Sequence, residues 1–237
     1  MTERLPPEKH VRVRVNRSDP DAQGVFTVDR IESMMVLDLL LAIQREHDPS
    51  LGFRYSCRVA MCGTCTVRMD GRAVLACQTP VEPGRGEVRL DPLAGLPVVR
   101  DLVVDMEPFF QEWARIKPYL EPVDGLDEPA HVRPDSPERQ VIDPSLDCIS
   151  CGACYSSCGL ADHQRDFLGP AALNRAMVLI ADSRDSAGAE RLEAVTAADG
   201  VDRCHYIYGC TSVCPKGLDP ARAIRRLRRW RFEGDRR

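Results

Sequence analysis

Through the first hundred residues apolar positions recur mostly in twos. Between His10 and Arg17, Val11, Val13 and Val15 fall on one face while Arg12 and Arg14 fall on the other, the pattern of a half-buried strand. A turn-like Ser18-Asp-Pro-Asp21 separates it from a second strand over Gly24–Arg30. Val36, Leu39, Leu40 and Ile43 then follow helical spacing, with Ser33 placed to cap the start. Short strands return at Thr66–Met69, at Ala73–Cys77 beyond an Asp70-Gly71 turn, and at Glu87–Leu90. Two strands, a helix and further strands predict a small mixed sheet packed on one helix.

Beyond residue 100 the period changes. Leu102, Val103, Met106, Phe109, Phe110, Trp113 and Ile116 keep a helical repeat, which Pro108 is expected to kink or restart. Five prolines between Pro118 and Pro137 mark a connecting segment. Helices are expected over Ala171–Ala181 and Ala189–Ala197, and from an Asp219-Pro220 cap through Trp230. The chain thus divides into a strand-rich domain at 1–105, a connecting helix and proline-rich linker at 106–140, and a helical domain at 141–237, an α+β organisation.

Composition narrows the function classes. In 237 residues, 43% hydrophobic and 29% charged positions describe a globular protein, and the net charge of −4 argues against a nucleic-acid partner. Met1–His10 has no apolar core of a secretory signal. The most apolar stretch, Met34–Ile43, is interrupted by Asp38 and is too short to span a bilayer. Eleven cysteines in such a chain suit metal ligation in a reducing compartment better than disulfides.

Their spacing is specific. Cys57, Cys62, Cys65 and Cys77 form C-x4-C-x2-C…C, the plant-type [2Fe–2S] arrangement, with Gly52, Gly63 and Gly71 in or near the loop. A structural zinc site, the alternative, prefers two separated short cysteine pairs. Cys148, Cys151, Cys154 and Cys158 repeat the bacterial ferredoxin run C-x2-C-x2-C-x3-C, and Cys204, Cys210 and Cys214 repeat the same ladder with Ile207 on its second rung. In two-cluster ferredoxins the fourth cysteine of each run serves the other run's cluster. Cys148, Cys151 and Cys154 with Cys214 then complete a [4Fe–4S] site. Cys158, Cys204 and Cys210 leave three thiolates, which suits a [3Fe–4S] centre. Zinc or purely structural thiols are the alternatives for this group. Several clusters without an evident Ser/His/Asp or paired-carboxylate site describe an electron wire rather than a substrate-transforming chain.

These residues resemble a known family. Phe53-Arg-Tyr-Ser-Cys57-Arg-Val-Ala-Met-Cys62-Gly-Thr-Cys65 and Leu75-Ala-Cys77-Gln-Thr-Pro80 are similar to the iron–sulfur subunit of succinate dehydrogenase and fumarate reductase. So are Asp101–Met106, Phe167-Leu-Gly-Pro170, Asp182-Ser-Arg-Asp185 and Cys214-Pro-Lys-Gly217. The resemblance implies an N-terminal β-grasp ferredoxin domain and a C-terminal all-α two-cluster ferredoxin domain. It implies a flavoprotein partner carrying FAD, a membrane anchor of cytochrome b type carrying haem, and quinone at the anchor interface. The chain would then be active only as part of that complex, peripheral on the cytoplasmic side of the inner membrane. A soluble fumarate reductase or other flavin-linked dehydrogenase of similar build is the alternative.

Two local cues within the resemblance point in opposite directions. Gly159, after Cys158, with no aromatic residue following, looks like the menaquinone-linked fumarate reductases. His205, after Cys204, matches a quinone-proximal histidine of ubiquinone-linked members. His163 reads as a surface or interface residue. From Asp219 to Arg237 there are eight arginines and three acids, a basic end that fits an anionic surface, an anchor subunit or a solvated helix.

Overall fold

The computed structural model describes residues 9–123, 132–163 and 166–233, with residues 162 and 163 described in their backbone alone. The chain forms two compact units. One spans residues 1–105 together with 149–153, and the other holds 106–148 and 154–237.

The first unit is a five-stranded sheet with the order β2-β1-β5-β3-β4. Strands β1 (His10–Val15) and β2 (Val25–Asp29) are antiparallel, and β1 pairs in parallel with β5 (Glu87–Asp91). Strand β3 (Thr66–Met69) runs antiparallel to both β4 (Arg72–Leu75) and β5. Helix α1 (Val36–Ala42), prolonged by a π-helical turn, packs Val36, Leu39 and Leu40 against Val11, Val13, Phe26, Val88 and Leu90. The inward valines are those that the alternation of His10–Arg17 selects, because successive side chains of a strand point to opposite faces. A mixed sheet gripping one helix is the β-grasp arrangement.

Ser33 does not cap α1. It has a left-handed backbone (φ 54°) and precedes the N-cap Met35, whose N–H donates to Asp38 Oδ2 at 2.9 Å. The cap comes from inside the first turn, where a carboxylate also faces the positive end of the helix dipole.

The helix expected from Leu102 starts later. Val98–Arg100 (β6) and Val103–Val104 (β7) form a small hairpin, and α2 runs only over Glu107–Arg115. Pro108 lies in its first turn and bends nothing, since N–H groups there have no intrahelical acceptor. At the hairpin turn Asp101 has φ 49° and accepts the N–H groups of Ser18 (2.9 Å) and Gly52 (2.7 Å). Arg17 ties this carboxylate to Asp48, with Nε 3.1 Å from Asp101 and Nη1 2.5 Å from Asp48. Gly52 is therefore clamped just ahead of the first cysteine loop.

In the second unit α6 (Gly169–Ala181) is apolar on nearly every side, as a central helix must be, and α2, α3 (Pro137–Leu146), α7 (Gly188–Thr196) and α9 (Pro220–Glu233) pack around it. Short helices α4 (Ala153–Ser156), α5 (Gly159–His163) and α8 (Gly209–Ser212) lie beside the cysteines. Helix α3 starts inside the span read as linker. Ser136 caps it by accepting the Arg139 N–H at 3.1 Å, and Pro137 occupies the tolerant first turn. Residues 124–131 of that linker lie outside the described residues.

Candidate iron–sulfur centres

The chain from Cys57 to Cys65 winds tightly, with positive φ at Arg58 (60°), Ala60 (56°) and Gly63 (69°). This winding turns three amides toward one sulfur. Cys57 Sγ accepts N–H groups from Val59 at 3.5 Å and from Met61 and Cys62 at 3.3 Å each. Backbone dipoles aimed at sulfur stabilise negative charge there, as a cluster-binding loop requires. Gly63 also makes a close approach possible, since a Cβ on it would lie 2.8 Å from that of Cys151.

The thiols of this loop oppose one another. A hydrogen bond from the Thr64 hydroxyl, with further bonds to Cys57 and Thr64, holds Cys62 down at about 6. Burial, together with the neighbouring thiols Cys77 and Cys62, pushes Cys65 up to about 12. Cys65 and Cys77 are buried while Cys62 is exposed. Burial and its thiol neighbours disfavour the thiolate of Cys65, whereas bound iron deprotonates coordinating thiols outright. The donor set fits a [2Fe–2S] centre. Cys77 is positioned by its neighbour Ala76, whose N–H donates to Cys65 O (3.1 Å) and whose carbonyl accepts from Leu37 N (2.8 Å) at the start of α1.

The run from Cys148 to Cys154 contains two left-handed residues, Ser150 (φ 52°) and Gly152 (φ 76°), and its five-residue stretch Ile149–Ala153 belongs to the first unit. In the second unit Cys158, Cys204 and Cys210 lie in one another's field. Burial pushes Cys210 up to about 11, and the negative potential of Cys158 and Cys204 adds to it. Cys204 is likewise raised, by burial and then by Cys158, against the Tyr206 N–H and Arg228. Gly209 brings the loop in, because a Cβ there would meet the Ser157 carbonyl oxygen at 2.6 Å. Among the described residues no three His, Cys, Asp or Glu are arranged to hold a single metal ion.

Sequence reasoning missed the clasp around this third group. Tyr206 and Tyr208 are both left-handed, with φ 56° and 64°. Arg225 donates to the Tyr208 hydroxyl and lies 5.5 Å over the Tyr206 ring, which Arg228 approaches to 4.9 Å. Arg228 also donates to the carbonyls of Val201 (2.6 Å) and Cys204 (3.1 Å). Between the tyrosines Ile207 is 80% exposed, and His205 is exposed as well. The side chain of His163 lies outside the described residues.

Two family models cover the chain in this order: a 2Fe-2S iron–sulfur cluster binding domain over residues 11–111 and a 4Fe-4S dicluster domain over 144–218. The chain is 41% identical over 203 residues to the succinate dehydrogenase iron–sulfur subunit of Coxiella burnetii, covering 85% of each protein. It is 39% identical over 221 residues to that of Paracoccus denitrificans, covering 90% of this chain and 85% of the relative. The chain belongs to the succinate dehydrogenase iron–sulfur subunit family. A mitochondrial relative from Oryza sativa, named for ubiquinone, is 37% identical over 228 residues, with 92% of this chain and 81% of that one covered. A chain of the Mycobacterium smegmatis Sdh1 complex in the apo form superposes with a TM-score of 0.82 at 25% identity, over 96% of this chain and 99% of that one. Among the described residues no helix of this family member is long and apolar enough to cross a membrane.

Proposed function

We propose that this chain is the electron-transfer subunit of a succinate:quinone or quinol:fumarate oxidoreductase, working between an FAD-bearing flavoprotein and a membrane anchor that carries quinone or haem. Cys57, Cys62, Cys65 and Cys77 would hold [2Fe–2S]; Cys148, Cys151, Cys154 and Cys214 [4Fe–4S]; and Cys158, Cys204 and Cys210 [3Fe–4S]. When bound, such clusters accept and release single electrons at potentials tuned by cluster type, hydrogen bonding and burial. The chain's own part is to hold them. Amides of residues 59, 61 and 62 present N–H groups to sulfur, Gly63 and Gly209 permit close backbone approach, and Arg228 places a cation beside Cys204. His205, next to Cys204 and exposed, would face the quinone. Exposed Val59 and Met61 offer an apolar surface at the first loop for the flavoprotein.

The observation that carries this reading is the third group: Cys204 and Cys210 in the field of Cys158, with exposed Ile207 on the rung where a ladder of four would place a cysteine. Iron and sulfide analysis with EPR on anaerobically purified protein tests it. About nine irons per chain and a three-iron signal in the oxidised state are expected. Ile207→Cys should raise the content to about ten and abolish that signal. Ten irons and no three-iron signal in the unaltered chain would overturn the assignment of Cys158, Cys204 and Cys210.

A further inference from the structure

Helix α9 carries six arginines and one acid, Glu233, in a chain whose overall charge is negative. Its buried residues include the stripe Ala223, Ile224, Leu227 and Trp230, and the helix packs on α6 and α7. The arginines divide into two sets. Arg225, Arg228 and Arg231 are engaged, with Tyr208, with the Val201 and Cys204 carbonyls and Asp202, and with Asp202. Arg222, Arg226 and Arg229 have no ion pair or side-chain hydrogen bond among the described residues.

Spaced four and three apart, these three lie in one row on the far side of the helix from Leu227, extending about 10 Å along its axis. Burial pulls the pKa of half-buried Arg226 below the ordinary arginine value, and repulsion from Arg222 and Arg229 adds to the shift. Like charges at this spacing destabilise an isolated helix, so the row is held by packing of the opposite face. Beside Arg229, one turn on, Phe232 is 75% exposed, with the Arg231 guanidinium 5.0 Å over its ring.

A row of guanidinium groups without an ion-pair partner among the described residues, with an exposed phenyl ring at its end, is the chemistry of an interfacial helix face: charge for anionic headgroups and an aromatic ring for the headgroup–acyl boundary. An acidic polypeptide is the weaker match. No hydrogen bond among the described residues orients these three guanidiniums for directed pairing, and a diffuse potential suits a mobile layer of charge. We propose that Arg222, Arg226, Arg229 and Phe232 form a docking face for anionic phospholipid at the membrane surface, independent of the cysteine centres.

The test uses the full, cluster-loaded chain in co-sedimentation with vesicles of phosphatidylcholine alone or mixed with phosphatidylglycerol. Binding is expected only to the mixed vesicles and should weaken as salt rises. The triple variant Arg222→Gln, Arg226→Gln, Arg229→Gln should bind about 100-fold less tightly, from roughly 1 kcal/mol per basic residue near the surface. Triple lysine replacement should keep most of the affinity, because charge rather than fork geometry is used. Glutamine favours helix, and unchanged iron content with unchanged circular dichroism would show the variant folded. Wild-type affinity in the glutamine variant, or equal binding to neutral vesicles, overturns the proposal. So does arginine-dependent retention by the purified flavoprotein or anchor in lipid-free detergent without vesicle binding, which would make the occupant an acidic protein surface.

Discussion

At Gly63 one missing methyl group decides two things, since φ is 69° and a Cβ would sit 2.8 Å from that of Cys151. Gly71 has φ 85° with nothing within 4 Å, so it isolates the backbone contribution. Gly71→Ala should cost about 1–2 kcal/mol from left-handed strain alone. Gly63→Ala should cost more and also reduce the [2Fe–2S] EPR signal; equal thermal shifts with intact signals in both would show that the approach at Gly63 is not limiting. A second such effect lies ahead of the first cysteine, at the carboxylate that holds Gly52. Burial would raise the Asp101 carboxyl, but N–H groups of Ser18 and Gly52 and the Arg17 guanidinium outweigh it and hold it below the ordinary 3.8. Asp48 is lowered to about 2, by Ser50 first and then by Arg17. Carboxylates depressed on folding stabilise fully above their unfolded values and lose that contribution as pH falls through their folded ones. The loss should fall between pH 4 and about 2, using the ordinary value of 3.8 and the folded Asp48 value. Asp101→Asn should be less stable at neutral pH by about 3 kcal/mol, because Arg17 stays buried without that charge. Unfolding followed by circular dichroism should then vary less steeply with pH across the window than in the wild type.

Among the elements, the second unit is pinned by Arg191 on α7, which is 1% exposed. It donates to the carbonyls of Ile116 (3.1 Å), Lys117 (3.1 Å) and Tyr119 (2.7 Å) past the end of α2, and pairs with buried Asp185. Asp185 in turn accepts the N–H groups of Glu121 (3.1 Å) and Ala187 (2.9 Å). Arg191→Met would leave the buried Asp185 carboxylate without its countercharge and remove a donor from three carbonyls. A loss of about 3–5 kcal/mol is expected in denaturant unfolding of the second unit; a loss below 1 kcal/mol would mean that water replaces the guanidinium. Elements of the two units were legible unevenly, for physical reasons. Helix α6 is readable because apolar residues cover nearly all its sides, and α9 because Asp219-Pro220 announces it. The β6–β7 hairpin was hidden because Leu102, Val103 and Met106 fit a helical period by coincidence. Nothing in the identity of Asp101 reveals its left-handed φ. Helix α3 was hidden because Pro137 punctuates a linker and opens a helix equally well. Gly209, Arg225 and Arg228 could not be read at all, since what gives each its role lies on a segment 17 or more residues away, apart from the cysteine spacings that sequence displays.

Over the whole chain, the first cysteine group belongs to one compact unit and Cys158, Cys204 and Cys210 to the other. Each unit has its own buried core, that of the first centred on Val11, Leu39, Leu40 and Leu90 and that of the second on Leu173, Ala176 and Leu227. Separate cores mean that losing one centre need not dissolve the other. Cys65→Ser removes a buried thiol held between Cys62 and Cys77, so the [2Fe–2S] signal of the reduced protein should vanish while the oxidised three-iron signal persists. Cys210→Ser should do the reverse. Under the proposed function both variants should stop electron delivery from flavoprotein to quinone, because a serial relay would fail at either end. Loss of the three-iron signal in Cys65→Ser would instead show that the units fold as one cooperative body. The two-variant comparison therefore separates failure of assembly from failure of transfer, which activity alone cannot do.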